Sequence, residues 1–415
     1  MTDTILEIKN LKKSYGKNEV LKDISLSVKK GEVISIIGSS GSGKSTFLRS
    51  INLLESPSGG EILYHGDNVL EKGYDLTTYR ERLGMVFQSF NLFENLNVLE
   101  NAIVAQTTVL KRDRKEAESI AKANLEKVGM GEQYWKAKPK QLSGGQKQRV
   151  TLAGVMVGDV DILLFDEPLA SLDPATGKSA IELIDDIQKK TKKTILIIEH
   201  RLEDVLHCSV DRIIVVNEGK IAADITPEQL LSSNLLVETG IREPLYITAL
   251  KYAGCTITPD MHPEHIDTLN IDKCRENLKK WYEGVAEDNA TKTENTILEM
   301  KDVKFSYESG KEILHGVSFK VNKGEMVSIV GRNGAGKSTI SKLICGFYKP
   351  TEGQILFEGR DLINDTIKER AEKIGIVMQN PNQMISQHMI KDEIALGLKC
   401  RNFDKKYIDE RVHEL

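Results

Sequence analysis

The sequence predicts an α/β fold built around a mostly parallel sheet, and three observations support this fold class. Short runs such as "VISII" at Val33 and "TILII" at Thr194 are apolar at four of five positions, which is typical of strands covered on both faces. Stretches with apolar residues every three or four positions lie beside these runs, as in crossover helices. The whole pattern occurs twice, which predicts two homologous domains in one chain.

The two copies share the order of their predicted strands and helices. The first begins at Ile5 with "ILEIKNLKKSY" and the second at Ile297 with "ILEMKDVKFSY", and the alternation in both predicts strands. A buried strand follows in each copy, "EVISIIG" or "EMVSIVG", and leads through a glycine-rich turn into a helix. We therefore predict domains at 1–225 and 297–415, joined by a helical and irregular extension and linker at 226–296.

The composition argues against several classes of protein. The formal net charge is −4, and Lys and Arg are interspersed with Asp and Glu, so we expect no nucleic-acid partner. The five scattered cysteines predict reduced thiols. Residues 1–10 lack the pattern of a signal peptide, and the longest apolar runs fall far short of the ~20 residues of a spanning helix. We therefore expect a protein that reaches a membrane only by docking on another chain.

Each copy contains a loop of the form G-x-x-x-x-G-K-[ST] between the buried strand and the helix. Glycines let the backbone wrap a phosphate and point its N–H groups inward, at a helix N-terminus that stabilises anions. The lysine of such a loop reaches the β- and γ-phosphates, and the hydroxyl group of the serine ligates Mg²⁺. The residues predicted to bind the nucleotide are Gly38, Ser39, Ser40, Gly41, Ser42, Gly43, Lys44, Ser45 and Thr46 in the first copy and Gly331, Arg332, Asn333, Gly334, Ala335, Gly336, Lys337, Ser338 and Thr339 in the second.

A pair of carboxylates, Asp166 and Glu167, directly follows the apolar run "ILLF" in the first copy. Such a pair at the end of a buried strand, beside the strand that enters the phosphate loop, suits a magnesium ion and a water molecule. We predict that Asp166 holds the coordination shell of Mg²⁺ and that Glu167 polarises the attacking water.

With these motifs in this order, the chain resembles the ATP-binding cassette family over nearly its whole length, apart from the extension and linker between the two copies. The segment "LSGGQ" at 142–146 matches the family signature, and "SLD" at 171–173 matches its D-loop. His200 matches the switch histidine, which contacts the γ-phosphate. The resemblance implies a P-loop NTPase cassette with an antiparallel β subdomain and a helical signature subdomain.

Further positions match family residues that surround ATP. Gln88 in "GMVFQ" and Gln379 in "GIVMQ" match the Q-loop glutamine, which senses Mg²⁺ and the transmembrane partner. Tyr15 and Tyr307 match the aromatic residue that stacks on adenine. The resemblance therefore implies that Glu167, His200 and Gln88 are catalytic, that Ser143, Gly144, Gly145, Gln146, Asp173 and Gln379 join the loops and tyrosines in binding ATP, and that Ser45, Gln88, Asp166, Ser338 and Gln379 bind Mg²⁺.

The resemblance also implies that two cassettes face each other head to tail. ATP then lies between the P-loop of one cassette and the signature of the other, where Ser143 and the amides of Gly144 and Gly145 would touch the γ-phosphate. In the second copy the signature, the catalytic carboxylates, the D-loop and the switch histidine would lie beyond Leu415, so we expect a truncated second cassette. A working site would need a homodimer formed through the first cassette, or pairing with another ABC ATPase.

Two groups of importers contribute to this resemblance. Through "LSGGQKQRV" the chain is similar to the ATPases of polar amino-acid importers, and from Thr151 onward it resembles the tandem ATPases of energy-coupling-factor vitamin importers. We expect an ATP-hydrolysing subunit on the cytoplasmic face of the cell membrane, bound to integral membrane permease subunits that import a small solute of the amino-acid or vitamin kind. The change of group also predicts a hybrid reading frame joined near "LSGGQKQRV".

Two alternative functions are a tandem ATPase that acts on ribosomes and a non-catalytic fragment. A ribosome-acting ATPase should carry a long, charged, helical arm between its cassettes. The middle of this chain contains "REPLYITALKYAGCTITPDMHPEHI", which is neither basic nor continuously periodic. The sequence therefore favours transport.

Overall fold

The computed structural model describes residues 3–170, 172–284, 295–307, 310, 312–378 and 384–414. The chain divides into two compact units, Met1–Asp288 and Asn289–Leu415. Among the sequence predictions, Ser171, Gln379 and residues 285–294 of the predicted linker lie outside the described residues.

In the first unit, strands and helices are interspersed from β3 onward, as expected for the predicted fold class. Its strands are β1 (Thr4–Tyr15), β2 (Asn18–Lys29), β3 (Val33–Ile37), β4 (Gly59–Tyr64), β5 (Asp67–Asn68), β6 (Leu83–Val86), β7 (Ile162–Asp166), β8 (Thr194–Ile198), β9 (Arg212–Asn217) and β10 (Lys220–Ile225). Its helices are α1 (Lys44–Ile51), α2 (Leu76–Arg82), α3 (Val98–Thr108), α4 (Arg114–Lys127), α5 (Gly144–Val155), α6 (Pro174–Thr191), α7 (Leu202–Val205), α8 (Pro227–Leu231), α9 (Leu235–Glu238), α10 (Leu245–Tyr252) and α11 (Arg275–Gly284).

Two sheets organise the first unit. The central sheet has the strand order β10-β9-β3-β8-β7-β6, and all of its pairings are parallel except that of β10 with β9. The other sheet, in the order β2-β1-β4-β5, is antiparallel. The predictions of a mostly parallel sheet and of an antiparallel β subdomain are confirmed for this unit.

Alternate residues of the central strands face two different cores. In β7, Leu163 and Phe165 pack in a core with side chains of α3, α4 and α5. Ile162 and Leu164 point the other way, into a core with α1 and the antiparallel sheet. Because both faces of the central sheet are covered, strands β3, β7 and β8 are buried at every position and are mostly apolar.

Helices α3, α4 and α5 form the helical subdomain predicted around "LSGGQ". Two of them begin with a reciprocal capping box. Asn97 Oδ1 accepts from the N–H of Glu100 at 2.8 Å, and Glu100 Oε2 accepts from the N–H of Asn97 at 2.9 Å. Ser143 and Gln146 make the equivalent pair at the start of α5. These caps satisfy N–H groups that the first helical turn leaves free.

Helices α8, α9 and α10, which follow β10, share a hydrophobic core with strands of the central sheet. Leu230 and Ile247 from these helices and Met261 from the following turn are buried with Ile37 of β3 and Val215 of β9. The extension predicted at 226–296 is thus largely packed against the central sheet within its described part.

The second unit repeats the antiparallel sheet and the helix after the phosphate loop. The strand order is β12-β11-β13-β14, and all pairings are antiparallel. Its core includes Met300, Phe305, Leu314 and Leu343. The strands and helices are β11 (Thr296–Ser306), β12 (Glu312–Asn322), β13 (Glu352–Phe357), β14 (Arg360–Asp361), α12 (Lys337–Ile344), α13 (Ile367–Ala371), α14 (Ile390–Cys400) and α15 (Lys405–Glu414).

One predicted strand of the second copy does not form. The run "EMVSIVG" is neither a strand nor buried, since Met326 is 97 % and Val330 86 % exposed. In the first unit the equivalent strand, β3, lies between β8 and β9. The described residues of the second unit include no strand at those two positions. The backbone of this run therefore has no ladder to join, and its side chains have no second layer to pack against.

Candidate nucleotide site

The first phosphate loop connects β3 to α1, and two of its glycines are required by the backbone. A Cβ atom at Gly38 would lie 2.2 Å from the carbonyl oxygen of Val216, so the close approach needs glycine. Gly43, which precedes α1, has a φ of 102°, in the left-handed region that favours glycine. The first N–H groups of a helix have no partner within it, so the start of α1 can bind an anion.

Lys44 lies inside this loop and is only 4 % exposed. Its ammonium group donates to the carbonyl oxygens of Gly38 and Ser39, both at 2.9 Å. Burial lowers the pKa of Lys44, and the negative charges of Glu167 and Asp166 oppose that effect. An ammonium group has three donors, so these two bonds leave one donor for a phosphate oxygen.

Asp166 ends β7 and is held by two side chains of α1. Ser45 Oγ donates to Asp166 Oδ1 at 2.8 Å. Arg49, one helical turn further on, donates from Nη2 to Asp166 Oδ2 at 3.2 Å. The structure therefore brings the serine of the phosphate loop and the first predicted carboxylate into direct contact, although 121 residues separate them.

The carboxylate of Glu167 meets the imidazole ring of His200 beside this pair. Glu167 Oε1 lies 2.7 Å from His200 Nε2. Glu167 has a φ of 51°, which is uncommon for a residue other than glycine. Its N–H donates to the carbonyl oxygen of Ile198 at 3.1 Å, which ties the turn after β7 to the end of β8. A carboxylate held in this way can accept a proton from water.

Gln88 is exposed in the segment after β6. Together with Arg49 and Glu55 it lines a cleft of about 540 Å³. Because Arg49 also contacts Asp166, this cleft adjoins the carboxylate that ends β7.

Tyr15 lies at the end of β1 and is 48 % exposed. Its hydroxyl group donates to Glu55, and the ammonium group of Lys13 lies 4.8 Å from the centroid of its ring. An aromatic ring fixed at one edge with an accessible face can stack on a planar base.

The signature residues lie at the start of α5. Ser143 is the N-cap, and Gly144 and Gly145 are the first two helical residues. Ser143 Oγ accepts from the N–H of Gln146 at 3.3 Å. The amides at this helix start can bind an anion. Asp173 caps α6 in the same manner and accepts from the N–H of Thr176 at 3.1 Å.

The second phosphate loop repeats only part of this arrangement. Lys337 Nζ donates to the carbonyl oxygens of Gly331 at 2.6 Å and Arg332 at 2.8 Å, as Lys44 does in the first loop. The hydroxyl groups of Tyr307 and Thr339 are hydrogen-bonded at 3.1 Å. Ser338 is exposed and, within the described residues, has no hydrogen bond to a carboxylate.

Sequence reasoning missed Arg49 and Glu55. Arg49 Nη1 lies 3.7 Å from Glu55 Oε1, so polar contacts run from Tyr15 through Glu55 and Arg49 to Asp166. Arg49 could have been found, because it follows Ser45 by one helical turn and therefore shares its face of α1. Nothing in the local sequence marks Glu55.

The residues of the first loop fit a nucleotide with its magnesium ion. Mg²⁺ takes one or two protein oxygens and completes its shell with water and phosphate oxygens, and Ser45 and Asp166 offer such oxygens. The described ranges contain no group of three or more His, Cys, Asp or Glu side chains placed to hold a metal. When bound, Mg²⁺ neutralises charge on the phosphates.

Comparison with known proteins supports the same interpretation. The sequence profile described as ABC transporter matches residues 21–170 and 314–415, which together exceed half of the chain. The chain belongs to the ABC transporter family. A second profile, described as an ATP-binding cassette cobalt transporter, matches residues 233–305 of this ABC ATPase. The protein therefore has tandem ABC domains, a type of domain that binds ATP, and a distinct segment between them.

Two relatives of this ABC ATPase align along nearly all of it. A Clostridium perfringens protein named as an ABC transporter ATP-binding protein is 50 % identical over 424 residues, which cover 99 % of this chain and 73 % of the relative. A Vibrio vulnificus protein of the same name is 46 % identical over 401 residues, with coverages of 95 % and 69 %. The alignment with the Clostridium perfringens protein covers 99 % of this chain, so it includes the segment of the predicted hybrid junction, which stays a prediction.

Two solved structures resemble this ABC ATPase. The first is cbiO1 from Clostridium perfringens, part of the ABC transporter complex cbiONQ. It is 29 % identical with a TM-score of 0.52, and the match covers 60 % of this chain and 99 % of cbiO1. A nucleotide-free ATP-binding cassette from an ABC transporter is 26 % identical with a TM-score of 0.51, with coverages of 58 % and 100 %. These matches confirm the α/β cassette fold over somewhat more than half of the chain.

Two further expectations concern membranes and thiols. Throughout the described part of the chain, every helix is too short or too polar to cross a bilayer. All five cysteines are free, and four of them are buried, whereas Cys400 is exposed.

Proposed function

We infer that this ABC ATPase hydrolyses ATP with Mg²⁺ at the first phosphate loop and thereby energises a membrane importer. The contact of Glu167 with His200 at 2.7 Å carries this proposal, because a carboxylate that a histidine holds in position can accept a proton from water. The hydrogen bond between Ser45 and Asp166 adds a site for the ion at the same place.

Each residue of the site has a proposed role. Lys44 and the loop amides bind the phosphates, and Ser45 and Asp166, with Gln88, hold the magnesium ion. Glu167 accepts a proton from the attacking water, and His200 keeps this carboxylate in place and contacts the γ-phosphate. At the other end of this nucleotide, the exposed ring of Tyr15 stacks on adenine. The loop of the second copy, with Lys337 and Tyr307, binds a second nucleotide.

Substitution of the two loop lysines tests this assignment. Lys44→Ala should abolish Mg²⁺-dependent hydrolysis by the full chain, because it removes the cation that binds the phosphates. Lys337→Ala should keep hydrolysis and remove one equivalent of bound nucleotide in a titration. Hydrolysis that survives Lys44→Ala and is lost in Lys337→Ala would contradict the assignment.

The first cassette is proposed to pair with a second copy of itself, or with another ABC ATPase. The position of Gly144 and Gly145 at the start of α5 supports this proposal, because N–H groups at a helix N-terminus could bind the γ-phosphate held by the other cassette. Pairing makes the ATPase rate per chain rise steeply with protein concentration. A rate that is independent of concentration in verified monomers would rule out pairing.

The proposed partners in the membrane are integral permease subunits, with the ATPase on the cytoplasmic face. The match of residues 233–305 to a cobalt-transporter profile and the likeness to cbiO1 support the energy-coupling-factor branch over the polar amino-acid branch. The cargo is then a small solute, with cobalt or a vitamin-like molecule as the first candidates to assay.

Fractionation of cells separates transport from the ribosomal alternative. The transport proposal expects the chain to sediment with membranes, and to be released when its permease is absent. Sedimentation with ribosomes instead would support the alternative function.

A further inference from the structure

The buried carboxyl group of Glu199 has no role in the site as proposed. Glu199 lies between Ile198 and His200, just after β8, and is 3 % exposed. Its Oε1 accepts a hydrogen bond from the N–H of Leu169 at 2.7 Å. Glutamate is almost never fully buried without a strong partner, so its presence here calls for a specific function.

Three consecutive residues at the end of β8 contact the turn that carries Glu167. The carbonyl oxygen of Ile198 accepts from the N–H of Glu167 at 3.1 Å. Glu199 then binds the N–H of Leu169 on the far side of Glu167, and His200 meets the Glu167 carboxylate at 2.7 Å. The turn is thus held on both sides of the candidate base.

We propose that Glu199 is a positioning residue for ATP hydrolysis, which holds Leu169 so that the carboxylate of Glu167 faces His200. This inference rests on the proposed function of the first unit. Glu167 has a φ of 51°, a backbone conformation that costs energy for a residue with a side chain. Without the anchor at Leu169, the turn can relax and carry the carboxylate away from His200.

The anchor does not depend on whether Glu199 is charged. Burial raises the pKa of Glu199 to about 7, against the opposing effect of backbone hydrogen bonds from Leu169 and His200. A carboxyl group keeps acceptor capacity in both protonation states, so the bond to Leu169 can persist on either side of this pH. Positioning therefore requires a side chain at 199 that is long enough to bring an acceptor oxygen to the N–H of Leu169.

Two substitutions at Glu199 in the full chain test the inference. Glu199→Leu removes the acceptor and should lower kcat about 100-fold, as expected when a catalytic group is misplaced by about 1 Å. ATP binding should stay within about twofold of the parent, since the phosphate loop is untouched. Glu199→Gln keeps an acceptor oxygen at the same reach and should keep kcat within about threefold.

Glu32 provides a matched control. It is also buried, accepts from the N–H of Lys29 at 2.9 Å, and lies just before β3. Glu32→Leu should lower the melting temperature as Glu199→Leu does, but should leave kcat of the folded protein within about twofold. A fall in kcat confined to Glu199→Leu therefore reports positioning and not general destabilisation.

Parental kcat in folded Glu199→Leu would overturn the inference, as would equal losses in the Leu and Gln variants. If the Leu variant does not fold, Glu199→Asp replaces it, because its shorter side chain does not reach Leu169. Glu167→Gln separates this inference from the proposed function. Turnover at the parental rate in Glu167→Gln overturns the proposed role of Glu167 as the base. Loss of turnover in Glu167→Gln together with normal kcat in Glu199→Leu overturns only the positioning role of Glu199.

Discussion

The side chains at the first phosphate loop come from distant parts of the chain. Motifs in the sequence predicted Ser45, Asp166 and Glu167, because each residue type has a defined use in nucleotide chemistry, and the family resemblance added His200. Their meeting at one edge follows from parallel strands, whose carboxyl ends lie together. Arg49 could also have been inferred, because it follows Ser45 by one turn of α1 and therefore shares its face.

Glu199 could not be recognised from sequence, because its function depends on a hydrogen bond to a residue 30 positions away. The same burial that defines its contact also gives a testable electrostatic effect. Its pKa rises from an ordinary 4.5 to about 7, chiefly through loss of water, with a smaller contribution from the charge of Glu167 and an opposing one from Arg201.

Glu199→Gln should therefore change how stability depends on pH. Between the unfolded and folded pKa values the native parent binds more protons than the unfolded chain, so its stability falls as pH rises through this window. Gln does not titrate. Relative to the parent, the free energy of unfolding of the variant should increase by up to about 3 kcal/mol between about pH 4 and about pH 8.

Urea unfolding of the first unit at the two pH values measures this difference. We expect the unfolding free energy of the variant to increase relative to that of the parent as the pH rises. A difference in unfolding free energy that is constant across the window would show that Glu199 titrates normally in the folded protein.

Helices and strands were predicted well where local sequence determines them. Helix α5 begins at "SGGQ" because Ser143 and Gln146 cap each other, and that pattern is visible in the sequence. The run "EMVSIV" shows the opposite case. It has the composition of a buried strand, but a parallel strand needs neighbours, and no local pattern reveals whether those neighbours are in place.

Two capping residues allow structural and functional effects to be separated. Ser143→Ala and Asn97→Ala each remove an N-cap side chain from a capping box, so each should lower the unfolding free energy by about 1 kcal/mol. Ser143 is also proposed to touch the γ-phosphate across a cassette pair. Its variant should therefore lose far more ATPase activity than the Asn97 variant.

Chemical denaturation and steady-state ATPase assays on both variants provide the comparison. Equal activity losses in the two proteins would mean that Ser143 acts only as a cap.

For the chain as a whole, the sequence predicted two copies of one domain and a loose middle. The sequence could not show that the helices after Ile225 cover the central sheet. Contacts between residues far apart in the chain, such as Ile37 and Leu230, leave no local periodic pattern. The structure places Leu230 and Ile247 against Ile37 and Val215. The first cassette therefore depends on a segment that the sequence assigned to an extension.

Two fragments test this dependence. A fragment that ends at Gly284 keeps the shared core and should unfold cooperatively with ATP-binding activity. A fragment that ends at Ile225 exposes Ile37, Ile213 and Val215, and should melt at lower temperature or aggregate, since each fully exposed apolar side chain costs about 1.5–3 kcal/mol. Circular dichroism melting curves compare the two fragments. Equal melting temperatures would show that the extension adds nothing to the stability of the cassette.

Substitution of Glu167 by Gln tests most directly whether the first unit is an ATPase with this carboxylate as its base. Gln keeps the size of the side chain and can still hydrogen-bond to His200, but it cannot accept a proton from water. ATP binding and hydrolysis are measured on the same preparation of the full chain. We expect binding close to that of the parent, with turnover lowered at least about 100-fold. Hydrolysis at the parental rate would contradict the assignment.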